Sequence, residues 1–502
     1  MELRSGRRLR SSGTAPIGFA SAMELRSGRR ICSSQQVRIP EDLGPDRISA
    51  LPDDLLLIIL ARLRSIVTAA RTGILSRRWR NLWTLLSTLI FHNVKYSSLE
   101  PVLARLVSPA VSLLEIHIPI TRRQPDRWDW WEHMSPVEVY MDAGVTSLLR
   151  AAARLEPEEL VFTIDKVKGS HVDVPYFRRA ASIVLKANTF SAPFHMPPGV
   201  EFVALDTLSL SCSITGLDDL ISRCPRLRVL RLKVPTKNYL VMVHSTSLQQ
   251  LFVNTRDGTS RVDIDAPVLR RLSMSLRPYR QLDISVMAPM METISWYCSY
   301  CYVRLAPGFG SWRLNELRIQ MAQRQEELPS LHIDASMCSL SDPPQVADFR
   351  KEIEKHLFAA FSSLELHLIT CGHDYGSLVF HLIGMHQIHR AMRRLNVIIP
   401  EINEKKECPT NCLCRPTKVQ TILLIALEEI QIDGFEGDGH EFDFLELVFK
   451  SAPMLKRVTV KLSHDDHQEP KYARLYGLFR AYTSVECCVY LSTGEYMACI
   501  YD

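Results

Sequence analysis

Between residues 205 and 314 one apolar phrase returns at steps of 22, 21, 21, 22 and 23 residues. In its fuller form a small residue and a proline precede three apolar positions spaced three and two apart. Four segments carry it: Cys224-Pro-Arg-Leu-Arg-Val-Leu-Arg-Leu232, Ala266-Pro-Val-Leu-Arg-Arg-Leu-Ser-Met274, Ala288-Pro-Met-Met-Glu-Thr-Ile-Ser-Trp296 and Ala452-Pro-Met-Leu-Lys-Arg-Val-Thr-Val460. The same spacing without the proline occurs at Leu205/Leu208/Leu210, Leu248/Leu251/Val253, Leu314/Leu317/Ile319 and Leu427/Ile430/Ile432. The last two apolar positions lie two apart and so face one side of a short strand. Leu217, Leu220, Ile221 and Cys224 precede one phrase at helical spacing, and Phe444, Leu445, Val448 and Phe449 precede another. Proline then stops the helix and biases its neighbours towards extended backbone. Each unit is therefore one helix and one strand, and neither can bury its apolar face alone. Stacking them gives an α/β solenoid with parallel strands. A period of roughly 20 to 29 residues is that of leucine-rich repeats.

Charge and cysteine usage narrow the function classes. Residues 1 to 38 hold eight arginines against Glu2 and Glu24, or +6 of the chain's net +5, so the remainder carries −1. A nucleic-acid binder is expected to carry positive charge on its folded domain; here it sits on a tail, and no nucleic-acid partner is expected. No apolar run approaches the roughly 20 residues of a membrane span. Thirteen cysteines scattered through a chain without a secretory leader point to reduced, buried thiols in the cytoplasm or nucleus. The octapeptide Met1–Arg8 recurs at Met23–Arg30, and residues 1–44 read as a disordered basic leader.

Residues 45–94 form a small helical unit. Pro52 suits a first helical turn, Asp53 and Asp54 favour the positive end of the dipole, and Leu55, Leu56, Ile59, Leu60 and Leu63 recur at helical spacing. A second helix carries Ala69, Ala70, Ile74 and Leu75. A third, Arg77 to Leu86, interleaves Trp79, Leu82 and Trp83 with Arg77, Arg78 and Arg80. About 50 residues make a marginal core, so part of this surface is expected to be covered by a partner.

Asp46-Arg-Ile-Ser-Ala-Leu-Pro-Asp-Asp-Leu-Leu-Leu-Ile-Ile-Leu60 followed by Leu75-Ser-Arg-Arg-Trp-Arg-Asn-Leu-Trp83 resembles the F-box of the plant proteins that join it to leucine-rich repeats. Glu407-Cys-Pro-Thr-Asn-Cys-Leu-Cys414, Leu427 to Phe435 and Phe444 to Leu462 are similar to the FBD region of the same proteins. Two positions depart from the pattern: Arg64 stands where many F-boxes have proline, and Gly73 weakens the second helix. The resemblance implies a three-helix F-box at 45–94, a repeat solenoid at 95–400 and an FBD-like region at 401–502 that continues it. It also implies a function: docking on a Skp-type adaptor, and through it on cullin and RING subunits, with the repeats holding an unidentified protein substrate for ubiquitination. Carried over by motif position, Leu51, Pro52, Leu55, Leu56, Ile59, Leu60, Leu63, Leu75, Ser76, Trp79 and Trp83 form the adaptor surface or its immediate support. A repeat scaffold without ligase activity is the alternative. A DNA-binding unit with Arg77, Arg78 and Arg80 on a recognition helix is a third reading, disfavoured by the near-neutral folded region.

Other chemistry is sparse. Cys298/Cys301 and Cys408/Cys412/Cys414 have zinc-like spacing within each group, but more than a hundred residues separate the groups, and neither a metal nor a cofactor is expected. His386 and His389 lie at i, i+3 near His373 and His381. They read as solvated or hydrogen-bonded histidines. No phosphate-binding loop, dinucleotide motif or nucleophile elbow occurs, so no catalytic residue is assigned. Two segments read as loops or insertions on the solenoid: 122–140, with Trp128, Trp130 and Trp131 as a contact loop, and the polar 323–350.

Overall fold

The computed structural model describes Ile48 and residues 51–500, apart from 93, 107–110, 119–139, 166, 188–190, 235–238, 256–257, 302–305, 321–328, 338–347, 360, 401–421 and 464–468. The chain divides into two compact units, Met1–Pro52 and Asp53–Asp502. The basic leader, the tryptophan loop at 128–131 and the cysteines at 408, 412 and 414 lie outside the described residues.

Among the described residues of the larger unit, nine strands follow one another in parallel register. They are Thr88–His92, Leu113–Ile118, Glu159–Ile164, Ser182–Lys186, Thr207–Ser211, Val229–Val234, Gln250–Thr255, Arg271–Leu276 and Thr293–Ser299. The repeat phrase sets the register. Leu208, Leu230, Leu251, Leu272 and Ile294 face one another in a single column, and the residues two further on do the same. Both columns are buried, and each such side chain contributes about 1.5–3 kcal/mol of transfer free energy. The intervening side chains form the open, polar face of the sheet.

The parallel order is broken once in its interior. Trp312–Gln320 runs antiparallel to both neighbours, Thr293–Ser299 and Ser330–Met337. Leu314, Leu317 and Ile319 are buried as their spacing requires, but their strand is reversed. A short hairpin causes this: Gly308–Phe309 pairs with Trp312 and Arg313 across Gly310, which has φ 58°. A tight turn can join only antiparallel neighbours, since a parallel pair needs a crossover. The segment 323–350, read from its polarity as an insertion, contains the strand Ser330–Met337 and the start of the helix Phe349–His356. Its buried Leu331, Ile333 and Ala335 alternate with polar, outward-facing residues, and that alternation is diluted by the flanking polar sequence. Parallel order resumes through Ser363–Ile369, Arg394–Ile398, Glu429–Phe435, Arg457–Leu462 and Glu486–Tyr490, and the antiparallel strand Tyr496–Ile500 ends the sheet.

The outer layer is only partly helical. Leu217–Ser222 and Gly439–Ser451 bury the faces expected of them. The central repeats instead return through Tyr239–His244, Thr259–Asp265 and Pro278–Met287, which form a second parallel ladder. One helix per repeat is thus corrected. Val241, Val243, Val262 and Ile264 are buried at period two, a β-branched alternation that suits a pleated strand.

Cysteine usage also needs one amendment. Cys212, Cys224, Cys298, Cys301, Cys371 and Cys487 are free thiols, but Cys488, expected to be reduced, is disulfide-bonded.

Candidate functional site

The helical unit begins with Asp53–Arg62, its two aspartates in the first turn. Two short segments follow, Ile66–Arg71 capped by Ser65 and the 3-10 turn Thr72–Ile74. The expected third α-helix is a 3-10 helix, Trp79–Leu85. Gly73 explains the tightness here. A Cβ added to it would lie 3.2 Å from the Arg80 backbone, so the residue permits a close approach and does not simply weaken a helix.

Arg64 has a left-handed backbone, φ 49°, and its N–H bonds Ala61 O at 3.3 Å. Proline, locked near −65° and lacking the N–H, cannot occupy that conformation, which accounts for the departure noted above. Arg64→Gly is expected to stabilise the unit by about 1 kcal/mol by removing left-handed strain. Arg64→Pro should cost about 3 kcal/mol or more. Thermal unfolding of the two variants checks both signs.

The helix Asp53–Arg62 is apolar around most of its circumference, and the fold covers only one side. Leu56 and Leu60 are 0% and 1% exposed, whereas Leu55, Ile58, Ile59 and the following Leu63 are 44%, 51%, 41% and 38% exposed. At 100° per residue those four lie on one stripe. Leu75 is 67% exposed and Ile74 89%. Among the residues carried over from the motif, Leu55, Ile59, Leu63, Leu75, Ser76 and Pro52 are open to solvent, and Leu51 and Trp83 are half-buried. Leu56, Leu60 and Trp79 are instead internal core. Ile58, Ile74 and Leu85 are exposed as well and were not among the residues carried over from the motif; the i+3 relation of Ile58 to Leu55 was the available signal. Arg78 pairs with Asp53 at 2.6 Å, and Arg80 lies on the 3-10 helix Trp79–Leu85, not on the α-helix that the DNA-binding alternative expected.

The second surface is the open sheet face. Towards its carboxyl end the charges pair across strands, Arg394–Glu429 at 3.2 Å and Arg457–Glu486 at 2.9 Å, and Lys456 pairs with Glu428 at 2.8 Å just before their strands begin. Between Ser182–Lys186 and Arg271–Leu276 it instead forms a groove of about 470 Å³.

Behind the reversed strand lies a buried polar relay. Trp296 Nε1–H donates to His356 Nδ1 at 2.9 Å, which leaves the ring proton on Nε2 to donate to the Tyr300 hydroxyl at 2.8 Å. That hydroxyl donates to Glu352 at 2.8 Å, and Lys355 Nζ bridges Glu352 and Leu282 O at 2.8 and 2.7 Å. Burial drives His356 down to about 3, with Lys355 acting in the same direction, and pushes the Tyr300 hydroxyl well up. Every polar atom of the imidazole is paired, so the cluster clamps Phe349–His356 to the sheet and offers no open position for a ligand.

Among the described residues no group of three His, Cys, Asp or Glu side chains could hold a metal ion. His386 and His389 contact each other edge to face, and His381 stacks on Phe309 at 4.0 Å. No described helix is long and apolar enough to cross a membrane.

Residues 145–302 match the family model for the leucine-rich repeats of the FBD-associated F-box protein At5g56370. Three Arabidopsis thaliana proteins illustrate the similarity. F-box/FBD/LRR-repeat protein At3g52680 is 45% identical over 13% of this chain and 14% of its own length. F-box/FBD/LRR-repeat protein At4g26340 is 29% identical over 47% of this chain and 51% of its own length. F-box/FBD/LRR-repeat protein At5g56810 is 24% identical over 84% of this chain and 91% of its own length. The chain therefore spans about a seventh and about half of the first two and most of the third. Over these spans the chain is similar to plant F-box/FBD/LRR-repeat proteins.

Proposed function

We propose that the chain is a non-catalytic substrate-recognition subunit of an SCF-type ubiquitin ligase. In this reading the helical unit docks on a Skp-type adaptor, and through it on cullin and RING subunits, while the repeats hold a protein substrate in the cytoplasm or nucleus. The observation that carries it is the stripe Leu55, Ile58, Ile59 and Leu63, left open on a helix whose opposite side is packed. Large aliphatic groups clustered on a rigid helix are the material of interface hot spots. The likeness to F-box/FBD/LRR-repeat proteins supports the same reading.

The test is capture of a plant Skp adaptor by the full-length chain. Ile59→Asp places a charge on the open stripe and is expected to weaken capture about a hundredfold, roughly 3 kcal/mol, with unchanged thermal unfolding. Trp79→Asp is a poor probe, since Trp79 is buried and the change would unfold the unit. A folded wild-type chain that captures no adaptor would sink the ligase reading and leave a repeat scaffold.

A further inference from the structure

The charged side chains that line the groove on the open sheet face are all of one sign. Lys186, Arg231 and Lys233 line it, all exposed, and no carboxylate does. These three cations make no ion pair among the described residues, whereas Arg318, Arg394 and Arg457 on the same face each meet a glutamate.

The register shows how the groove is built. Lys186 faces Ser211, Ser209 faces Arg231, and Arg231 faces Phe252. The Arg231 guanidinium lies over the Phe252 ring, 4.9 Å from its centroid, which holds the charge in place at low entropic cost. Residues two apart on a strand are about 7 Å apart, and strands are spaced by about 4.8 Å. The three cations therefore share a patch about a Debye length across, where their mutual repulsion is relieved by an anion. Ser209 and Ser211 add hydroxyl donors between them, and Ser273 and Ser275 line the groove beyond Phe252.

We propose that this groove binds an extended acidic peptide segment with an apolar residue beside its anionic groups. The cations and serines would take the carboxylates or phosphates, and Phe252 the apolar side chain. The groove crosses five strands, about 19 Å, which matches five or six extended residues. A nucleic acid fits less well, since the chain beyond residue 38 carries −1 in total. The inference rests on the reading of the repeats as the substrate platform and is independent of adaptor docking.

Fluorescence anisotropy on the purified full-length chain tests it. The probes are three fluorescein-labelled degenerate peptide pools whose fixed centre is an Asp-Glu pair, a phosphoserine or an uncharged Ser-Gln pair, with an oligouridine RNA alongside. At least one anionic pool is expected to bind ten-fold or more tighter than the uncharged pool, with a margin that shrinks as salt rises. The tighter of the two identifies the source of the anion. Arg231→Gln with Lys233→Gln should erase the margin without changing thermal unfolding, because both side chains are exposed. Phe252→Ser should weaken binding of both anionic pools. Equal binding of all pools, no binding by any, a preference that survives the double variant, or tighter binding of the RNA would each overturn the inference. Adaptor capture measured on the same preparation keeps this failure distinct from failure of the ligase reading.

Discussion

Trp296→Phe is expected to lower stability by about 3 kcal/mol, read as a shift in urea midpoint at unchanged slope. Two effects combine. The smaller ring leaves a void in a filled core, and His356 Nδ1 loses its donor in a site with no water access, which alone costs about 1–3 kcal/mol. His356→Leu should be costly for the mirror reason, because it strands the Trp296 N–H. The double variant removes both partners, while Tyr300 keeps its bond to Glu352. It should therefore cost at least 1 kcal/mol less than the sum of the singles. Strict additivity would show that the relay is a contact without energetic coupling.

The same histidine sets a pH dependence. Its folded-state value lies near 3 against an ordinary 6.5, so between those limits the unfolded chain takes up a proton that the native chain refuses. Stability from this group is complete above pH 6.5 and falls as the pH drops towards 3. The loss should be on the order of 2 kcal/mol by pH 5. The groups facing the imidazole are Trp296, Tyr300, Glu352 and Lys355. His356→Leu should flatten this limb of the curve relative to wild type. A parallel acid limb in both proteins would refute the assignment.

Gly434→Ala should cost about 3 kcal/mol. Gly434 has φ 89° and lies where the pairing of Glu429–Phe435 with Arg457–Leu462 slips by one residue. A Cβ there would collide with the carbonyl oxygen of Ile399, part of a backbone whose N–H donates to Asp433 O at 2.8 Å. Left-handed strain of about 1–2 kcal/mol is joined by overpacking of about 1–3 kcal/mol. Gly199→Ala is the internal control. Its φ is 69°, and nothing lies within 4 Å of the added carbon, so only the strain should appear. Equal losses at the two sites would mean that the contact with Ile399 relaxes freely.

Local pattern made much of this molecule legible in the sequence. The 21–22-residue phrase specifies strands, register and buried columns because each repeat obeys the same short-range rule, and Leu208, Leu230, Leu251 and Leu272 had no other way to be buried together. The helices at 217–222 and 439–451 followed from period 3.6 for the same reason. Within the helical unit, the apolar spacing marked the helix Asp53–Arg62 but could not separate Leu55 and Ile59 from Leu56 and Leu60. All four are equally apolar, and sorting them depends on which side of the helix its neighbours cover.

Other features were settled by partners distant in sequence. The reversal at Trp312–Gln320 depends on a hairpin length, which spacing between leucines does not encode. Glu352 and His356 are buried by Trp296 and Tyr300, more than fifty positions away, a pairing that no local spacing announces. The basic groove is assembled from residues 186, 231 and 233, which only the stacking of adjacent repeats brings together. Sequence periodicity is a statement about neighbours within a few residues and therefore determined the solenoid. Strand direction, buried pairing and charge clustering are relations across the sheet, and only the tertiary structure decided them.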